Sequence, residues 1–324
     1  MSHHFQVVIV GLGPAGLAAA IELSQCSVKT AVIDQAEAPG GQVYRQTDPD
    51  ILWADNIAMN PRKLEGEALI KSFKQNQQKL HVFTNTLVWD VFENSLNVLC
   101  YNELIQISFE CLIICEGAME RIIPFPGWTL PGVMTVGGCQ KMIQHQNLTP
   151  GQRILVVGSG PLLLHLGATI IGRRGGLVGL YQALCLKQAV PLMPHILKNK
   201  VLWKESLSYG YQLVKGRVLP KWGWGINAAY GDKKVQGASI CRLDKNWRPI
   251  PGSEQYLQVD VIAVGHGFIP QSRLSRLCGC KVCFDETSRS YKPRIDYWQR
   301  SSKKEIYIAG DSAGIGGADM ANIQ

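Results

Sequence analysis

Twice in this chain a continuous apolar, β-branched run breaks into a glycine turn and resumes as an apolar helix pattern. The first stretch is Phe5-Gln6-Val7-Val8-Ile9-Val10-Gly11-Leu12-Gly13-Pro14-Ala15-Gly16, continuing as an Ala-rich helix to about Gln25. The second is Ile154-Leu155-Val156-Val157-Gly158-Ser159-Gly160-Pro161-Leu162-Leu163-Leu164, with a helix to about Arg173. Strands apolar on both faces belong in parallel sheets covered on each side, and strand–turn–helix alternation demands βαβ crossovers. The expected class is α/β, with two tandem Rossmann-like dinucleotide-binding domains. A length of 324 residues suits two domains, and a hydrophobic fraction of 46% excludes disordered and low-complexity classes.

In the first stretch, Gly11 permits the tight turn, Gly13 lets the backbone approach a diphosphate, and Gly16 lets helix and sheet pack closely. Pro14 suits the first helical position, where its missing donor costs nothing. The amides that follow from Ala15, with the positive end of the helix, suit an anionic diphosphate. Asp34 stands 18 residues after Gly16 at the end of the next strand, where an acid accepts adenosine ribose hydroxyls, and Gln35 follows it. This signal is strong for a dinucleotide and neutral about which one.

The second stretch offers Gly158, Gly160, Pro161 and Leu162 as a nucleotide loop, but Leu163 replaces the third glycine, so helix and strand should sit slightly farther apart. The next strand ends in Tyr181-Gln182, with neither the acid NAD wants nor the arginine NADP wants. NAD(P) or another adenine nucleotide binds here, or the fold is vestigial. Arg173 and Arg174 read as helix caps.

Elsewhere, Pro124–Gly132 reads as an interdomain crossing, and Leu80–Val91, Leu96–Tyr101 and Ile105–Cys115 read as strands. The net charge is +8, much of it in Arg273–Lys304, where nine basic against three acidic residues leave +6. That window is either a docking face for an acidic electron-transfer partner or a solvated surface. No nucleic-acid-binding signature accompanies it. Ile154–Gly172 lacks charge over 19 positions, but its internal glycines, Pro161 and His165 indicate strand, turn and helix, and no membrane span is expected. Ten scattered cysteines and a start without a signal-peptide pattern indicate a reduced, cytoplasmic enzyme. Cys278-x-Cys280-x-x-Cys283 lacks a complementary ligand pair, so no metal site is expected. No nucleophile–base constellation stands out as catalytic.

Gly40-Gly41-Gln42-Val43-Tyr44-Arg45, taken with Gly11–Gly16, resembles the flavin-binding half of the two-dinucleotide-domain flavoproteins, of which thioredoxin reductase is the familiar member. Pro126–Thr135, Gly158–Leu164, Ala263–Pro270 and Ile308–Asp311 sharpen the match. Together they are similar to the larger flavoprotein subunit of opine oxidases, hydrogen cyanide synthase and dye-linked proline or hydroxyproline dehydrogenases. The resemblance covers essentially the whole chain. It implies an FAD-binding domain discontinuous in sequence, residues 1–120 with 266–324, around an NAD(P)-binding-like domain at 121–265. It also implies that Gly41 allows close backbone approach to the cofactor, that Gln42 and Arg45 offer polar contacts, and that Gly310 and Asp311 meet the ribityl chain. Gly117 ends the domain's Ala-Thr-Gly-like turn. The implied enzyme is an FAD-dependent oxidoreductase relaying electrons from an amino-acid-like substrate, oxidised on a smaller partner flavoprotein subunit of a hetero-oligomer. The alternatives are a stand-alone NAD(P)H-dependent flavin oxidoreductase and a non-catalytic nucleotide-binding remnant.

Three departures qualify the resemblance. Where the thioredoxin-reductase branch carries Cys-x-x-Cys, Val136–Lys141 holds Cys139 alone, which excludes dithiol cycling. Cys115-Glu116-Gly117 has a carboxylate where a hydroxyl is expected, and Glu116 is expected to point to solvent. The sequence ends 13 residues past Asp311, with Gly316–Asn322 reading as the start of a helix. A truncated product or a fragment is expected, without the family's iron–sulfur ligands.

Overall fold

The computed structural model describes residues 2–44, 62–189 and 200–317. It divides into two compact units: Met1–Gln46 with Arg62–Met119 and Phe268–Gln324, and Thr47–Pro61 with Glu120–Gly267.

The first unit is built on strands β1 (Ser2–Val10), β2 (Thr30–Ile33), β3 (His81–Phe83), β4 (Thr86–Phe92), β5 (Ser95–Cys100) and β6 (Glu103–Ile114), in the order β3-β2-β1-β6-β5-β4. β1 runs parallel to β2 and to β6, with Val10 opposite both Ile33 and Ile114. The strand Ile306–Ile308 adds to β6 in parallel. Alternate side chains of β1 enter different cores, which is why the run shows no polar face. Val8 and Val10 pack with Leu96, Ile107, Leu112 and Ile114 on one side. Ile9 packs on the other with Leu17 and Ala20 of α1 (Pro14–Leu23) and with Ile70 and Phe73 of α2 (Arg62–Asn76). The stretch expected as one strand over Leu80–Val91 is two, because Asn85 takes a left-handed turn (φ 49°) between β3 and β4.

β7 (Ala118–Glu120) leads into the second unit. There β8 (Val133–Thr135), β9 (Ile154–Gly158), β10 (Leu177–Gln182), β11 (Lys221–Trp222) and, later in the chain, Val261–Gly265 form a parallel sheet. Helices α3 (Val136–His145) and α4 (Pro161–Gly172) cover one face, burying Val156, Leu163, Leu166 and Ile170. A three-stranded antiparallel sheet, β12 (Trp224–Tyr230), β13 (Gly237–Arg242) and β14 (Gln255–Leu257), covers the other over Leu155, Val157, Tyr181 and Ile262. Trp224 meets the Tyr181 ring edge-on at 6.1 Å, so this tryptophan belongs to the packing between the two sheets.

The proline-rich stretch does not cross between domains. Phe125 and Leu130 pack on the second unit's core, Pro126 accepts the Ala229 amide at 2.8 Å, and Pro131 accepts that of Val235 at 2.9 Å. A Cβ at Gly127 would collide with the Ala229 carbonyl oxygen. Among the described residues, the chain passes between the units at Met119/Glu120 and at Gly267/Phe268. Among the described residues, no helix is long and apolar enough to cross a membrane.

Phe73, on the core-facing side of α2, is 1% exposed, so Phe73→Ala should lower unfolding free energy by about 3–5 kcal/mol in urea titrations. A loss below about 1 kcal/mol would mean that α2 is not seated on the sheet.

Candidate functional site

The C-terminal ends of the first unit's parallel strands hold most of the expected site residues. Gly11 (φ +105°) and Gly16 are required by the fold itself. A Cβ on Gly11 would collide with the Cys115 carbonyl oxygen, and one on Gly16 with that of Gly11. Gly13 is different. Its backbone (φ −74°, ψ −172°) suits any residue, and the nearest atom to a Cβ there is the Gly41 Cα at 3.9 Å. Neither conformation nor crowding by the described residues explains a glycine at this position, and the space they leave in front of it does fit a bound group.

The surroundings have the chemistry of an anion cradle. Pro14 opens α1 and no side chain caps it, so the first-turn amides, beginning at Ala15 and Gly16, face outward. The Gly13 N–H has no acceptor among the described residues. Gly40 donates to the Leu12 carbonyl at 2.8 Å, and Tyr44 donates back to Gly40 at 3.0 Å, which folds the Gly40–Tyr44 turn over the glycine loop. Gly41 (φ +59°) passes so close that a Cβ there would be 2.7 Å from the Gly13 Cα. Tyr44 is 6% exposed and lies against Gly66 of α2, anchoring the turn. Gln42 is exposed beside it, and Arg45 lies outside the described residues.

Asp34 immediately follows β2. Its Oδ2 accepts the Leu12 amide at 2.5 Å and its Oδ1 that of Ala36 at 2.7 Å. A carboxylate offers about four acceptor sites, so this partly exposed group keeps capacity for hydroxyls. Gln35 is exposed next to it. Gly117 (φ +76°) follows β6, with no described atom within 4 Å of a Cβ position, and its carbonyl accepts the Gln271 amide at 3.0 Å. Gly310 (φ 72°) and Asp311 follow Ile306–Ile308 in a tight turn. Asp311 Oδ1 accepts the amides of Gly316 and Gly317 at 3.0 and 2.9 Å. The helix expected over Gly316–Asn322 lies mostly outside the described residues.

Glu116 does not point to solvent. It accepts the Leu274 amide at 3.1 Å, at the start of the short helix Arg273–Leu277. Burial raises its pKa, against hydrogen bonds from Leu274 and Gln271 and the charge of Arg273. Sequence reasoning missed this because the acceptor's partners lie over 150 residues away in the chain. Cys139, in the first turns of α3, is 0% exposed, and burial pushes its thiol up to about 12. Just before it, both Glu120 oxygens accept the Gly137 amide, at 3.0 and 3.1 Å, and Thr135 accepts that of Gly138 at 3.1 Å. Burial also pushes Cys278 up to about 12, and the Cys280 thiol donates to Ser301 Oγ at 3.4 Å. His266 has its pKa lowered, by burial first and the Arg121 charge second.

The second glycine loop is built otherwise. A Cβ on Gly158 (φ +143°) would collide with the Gly265 carbonyl oxygen, which accepts the Ser159 amide at 2.7 Å. Gly160 (φ +113°) precedes Pro161, which opens α4 and is exposed, while Leu162 is half-buried. Leu163 fills the core at 1% exposure. Gln182 bonds Gly160 twice: Oε1 accepts the Gly160 N–H at 3.2 Å and Nε2 donates to the Gly160 carbonyl at 3.0 Å. Arg173 ends α4 and donates to the Asn147 side chain.

Residues 5–184 match the pyridine nucleotide-disulphide oxidoreductase family. The hydrogen cyanide synthase subunit HcnB of Pseudomonas aeruginosa is 34% identical over 98% of this chain and 68% of its own length. An opine oxidase subunit of Agrobacterium tumefaciens is 27% identical over 100% of this chain and 64% of its own length. The chain thus spans about two thirds of the length of these curated relatives, both of which are named as subunits. The crystal structure of T. acidophilum thioredoxin reductase superposes with a TM-score of 0.67 at 19% identity, covering 99% of this chain and 94% of that one.

The thiolate is the reactive form, so Cys139 and Cys115, both held near 12 by burial, should resist alkylation in the folded protein at about pH 8. Exposed Cys26 should react readily, and peptide mapping of the label distinguishes them. Labelling of folded Cys139 at the rate of Cys26 would contradict its burial.

Proposed function

Because the chain belongs to the pyridine nucleotide-disulphide oxidoreductase family and is an FAD-dependent oxidoreductase, we propose that it serves as the electron-relaying flavoprotein subunit of an amino-acid- or opine-oxidising enzyme. In this reading residues 1–120 and 266–324 form the FAD-binding domain and 121–265 the NAD(P)-binding-like domain. The observation that carries it is Gly13, a glycine required neither by its backbone nor by its described neighbours, set before open helix amides.

Gly13, Ala15 and Gly16 donate backbone N–H groups to the diphosphate, and the α1 terminus adds its positive dipole. Pro14 starts the helix without adding a donor that would go unused. Asp34 accepts ribose hydroxyls with the capacity left after Leu12 and Ala36 are served. Gly11 and Gly117 let the strand ends close without side chains, and Gly41 brings the Gly40–Gln42 turn against the loop. Gly310 leaves room for the ribityl chain, and the second oxygen of Asp311 accepts from it. FAD, when bound, supplies two-electron redox chemistry, while the protein binds, orients and shields it. No thiol step is assigned to Cys139, which stays protonated at physiological pH. The amino-acid-like substrate is oxidised on a partner flavoprotein, consistent with relatives that are themselves subunits.

Gly13→Ala tests this directly. Among the described residues a Cβ there meets only the Gly41 Cα at 3.9 Å, so the FAD-free variant should melt within about 2 °C of the FAD-free wild type. Its flavin content, read near about 450 nm, should fall at least about tenfold, because the methyl group occupies the diphosphate's position. A variant that retains flavin as well as the wild type would contradict the assignment of this loop.

A further inference from the structure

The two glycine loops differ at one atom pair that matters for binding. In the first, Asp34 takes the amide of Leu12, one residue before the middle glycine, and leaves the Gly13 N–H open. In the second, Gly265 takes the Ser159 amide, Gln182 takes the Gly160 amide, and Pro161 has none. The first loop likewise spends its Leu12 amide and continues into a proline, so the contrast is a single donor: the Gly160 amide, equivalent to that of Gly13, is already used. Gln182 also donates to the Gly160 carbonyl, so both ends of its carboxamide hold the loop in its observed form.

Gln182 occupies the end of β10, the place where a ribose-reading acid stands in a dinucleotide fold. Its side chain is turned inward at 2% exposure, whereas Asp34 remains partly exposed. The backbone around Gln182 is fixed as well: its carbonyl accepts the Gly223 amide at 2.7 Å, and Ala183 donates to Gly158 at 2.7 Å. Among the described residues, none of the buried polar atoms lacking a partner belongs to Gln182 or to the loop it holds. The Gly160 N–H can meet a diphosphate only by giving up its bond to this buried side chain.

We infer that Gln182 is a specificity-determining residue that closes the second dinucleotide fold to tight binding of NADH and NADPH by locking the Gly160 peptide. This rests only on the second unit and stands whether or not the flavin assignment of the first loop holds. Full-length wild type and Gln182→Ala, with flavin content measured separately, are titrated with NADH and NADPH by calorimetry. The wild type should bind both weakly. The alanine variant, with its loop amide released, should bind at least one of them about tenfold or more tightly, as expected for removing one competing hydrogen bond to the loop amide. Hydrogen exchange of residues 158–164 in the wild type should be unchanged by millimolar NADH, and this reading needs no variant. Equal affinity in wild type and a folded Gln182→Ala variant, or NADH protection of the wild-type loop, would overturn the inference.

Discussion

At the closed end of the first sheet, the turn after β1 lies directly against the end of β6. The Cys115 carbonyl sits where a Gly11 side chain would start, and the Gly11 carbonyl sits where a Gly16 side chain would start. Strand, turn and helix therefore touch through backbone alone, which fixes the angle at which α1 leaves the sheet and where its free amides point. That contact is possible only because β1 lies between β2 and β6 in parallel register, with Val10 opposite Ile33 and Ile114. A side chain at either glycine would push the helix away and disperse the amides, and Asp34 would lose its bond to Leu12.

The second sheet repeats the centre of this arrangement, with β9 between β10 and Val261–Gly265 in parallel, without its outcome. Leu163 replaces the close-packing glycine and enters the core, while Gly158 presses on the Gly265 carbonyl as Gly11 does on that of Cys115. Gln182 then completes the loop internally. One chain thus carries an open version and a self-satisfied version of the same turn. The difference is chemical more than topological: a carboxylate has acceptors to spare after binding backbone, whereas this carboxamide has spent both its ends on one peptide.

Much of this was legible in the sequence wherever local backbone demands decide the outcome. Continuous apolar strands, glycine spacing and the position of Asp34 identify the α/β class and the first loop in that way. That Val136–Lys141 carries no Cys-x-x-Cys pair, only Cys139, is likewise read by counting. Long-range partners were not legible. Glu116 reads as a stray surface acid until Leu274 is placed beside it, and Pro124–Gly132 reads as a linker until Ala229 and Val235 are seen bonded to it. Gln182 showed only what was missing from the position, an acid or an arginine. That its amide would reach back 22 residues to grip Gly160 depends on β9 and β10 lying side by side with Gly158 opposite Gln182.

Whether the opening turn and Asp34 hold the adenylate half of a flavin is tested most directly by identifying the coenzyme that acid denaturation releases from the purified protein. FAD at about one per chain is the expected result. Release of FMN alone, or a colourless protein that takes up no FAD on incubation, would contradict it.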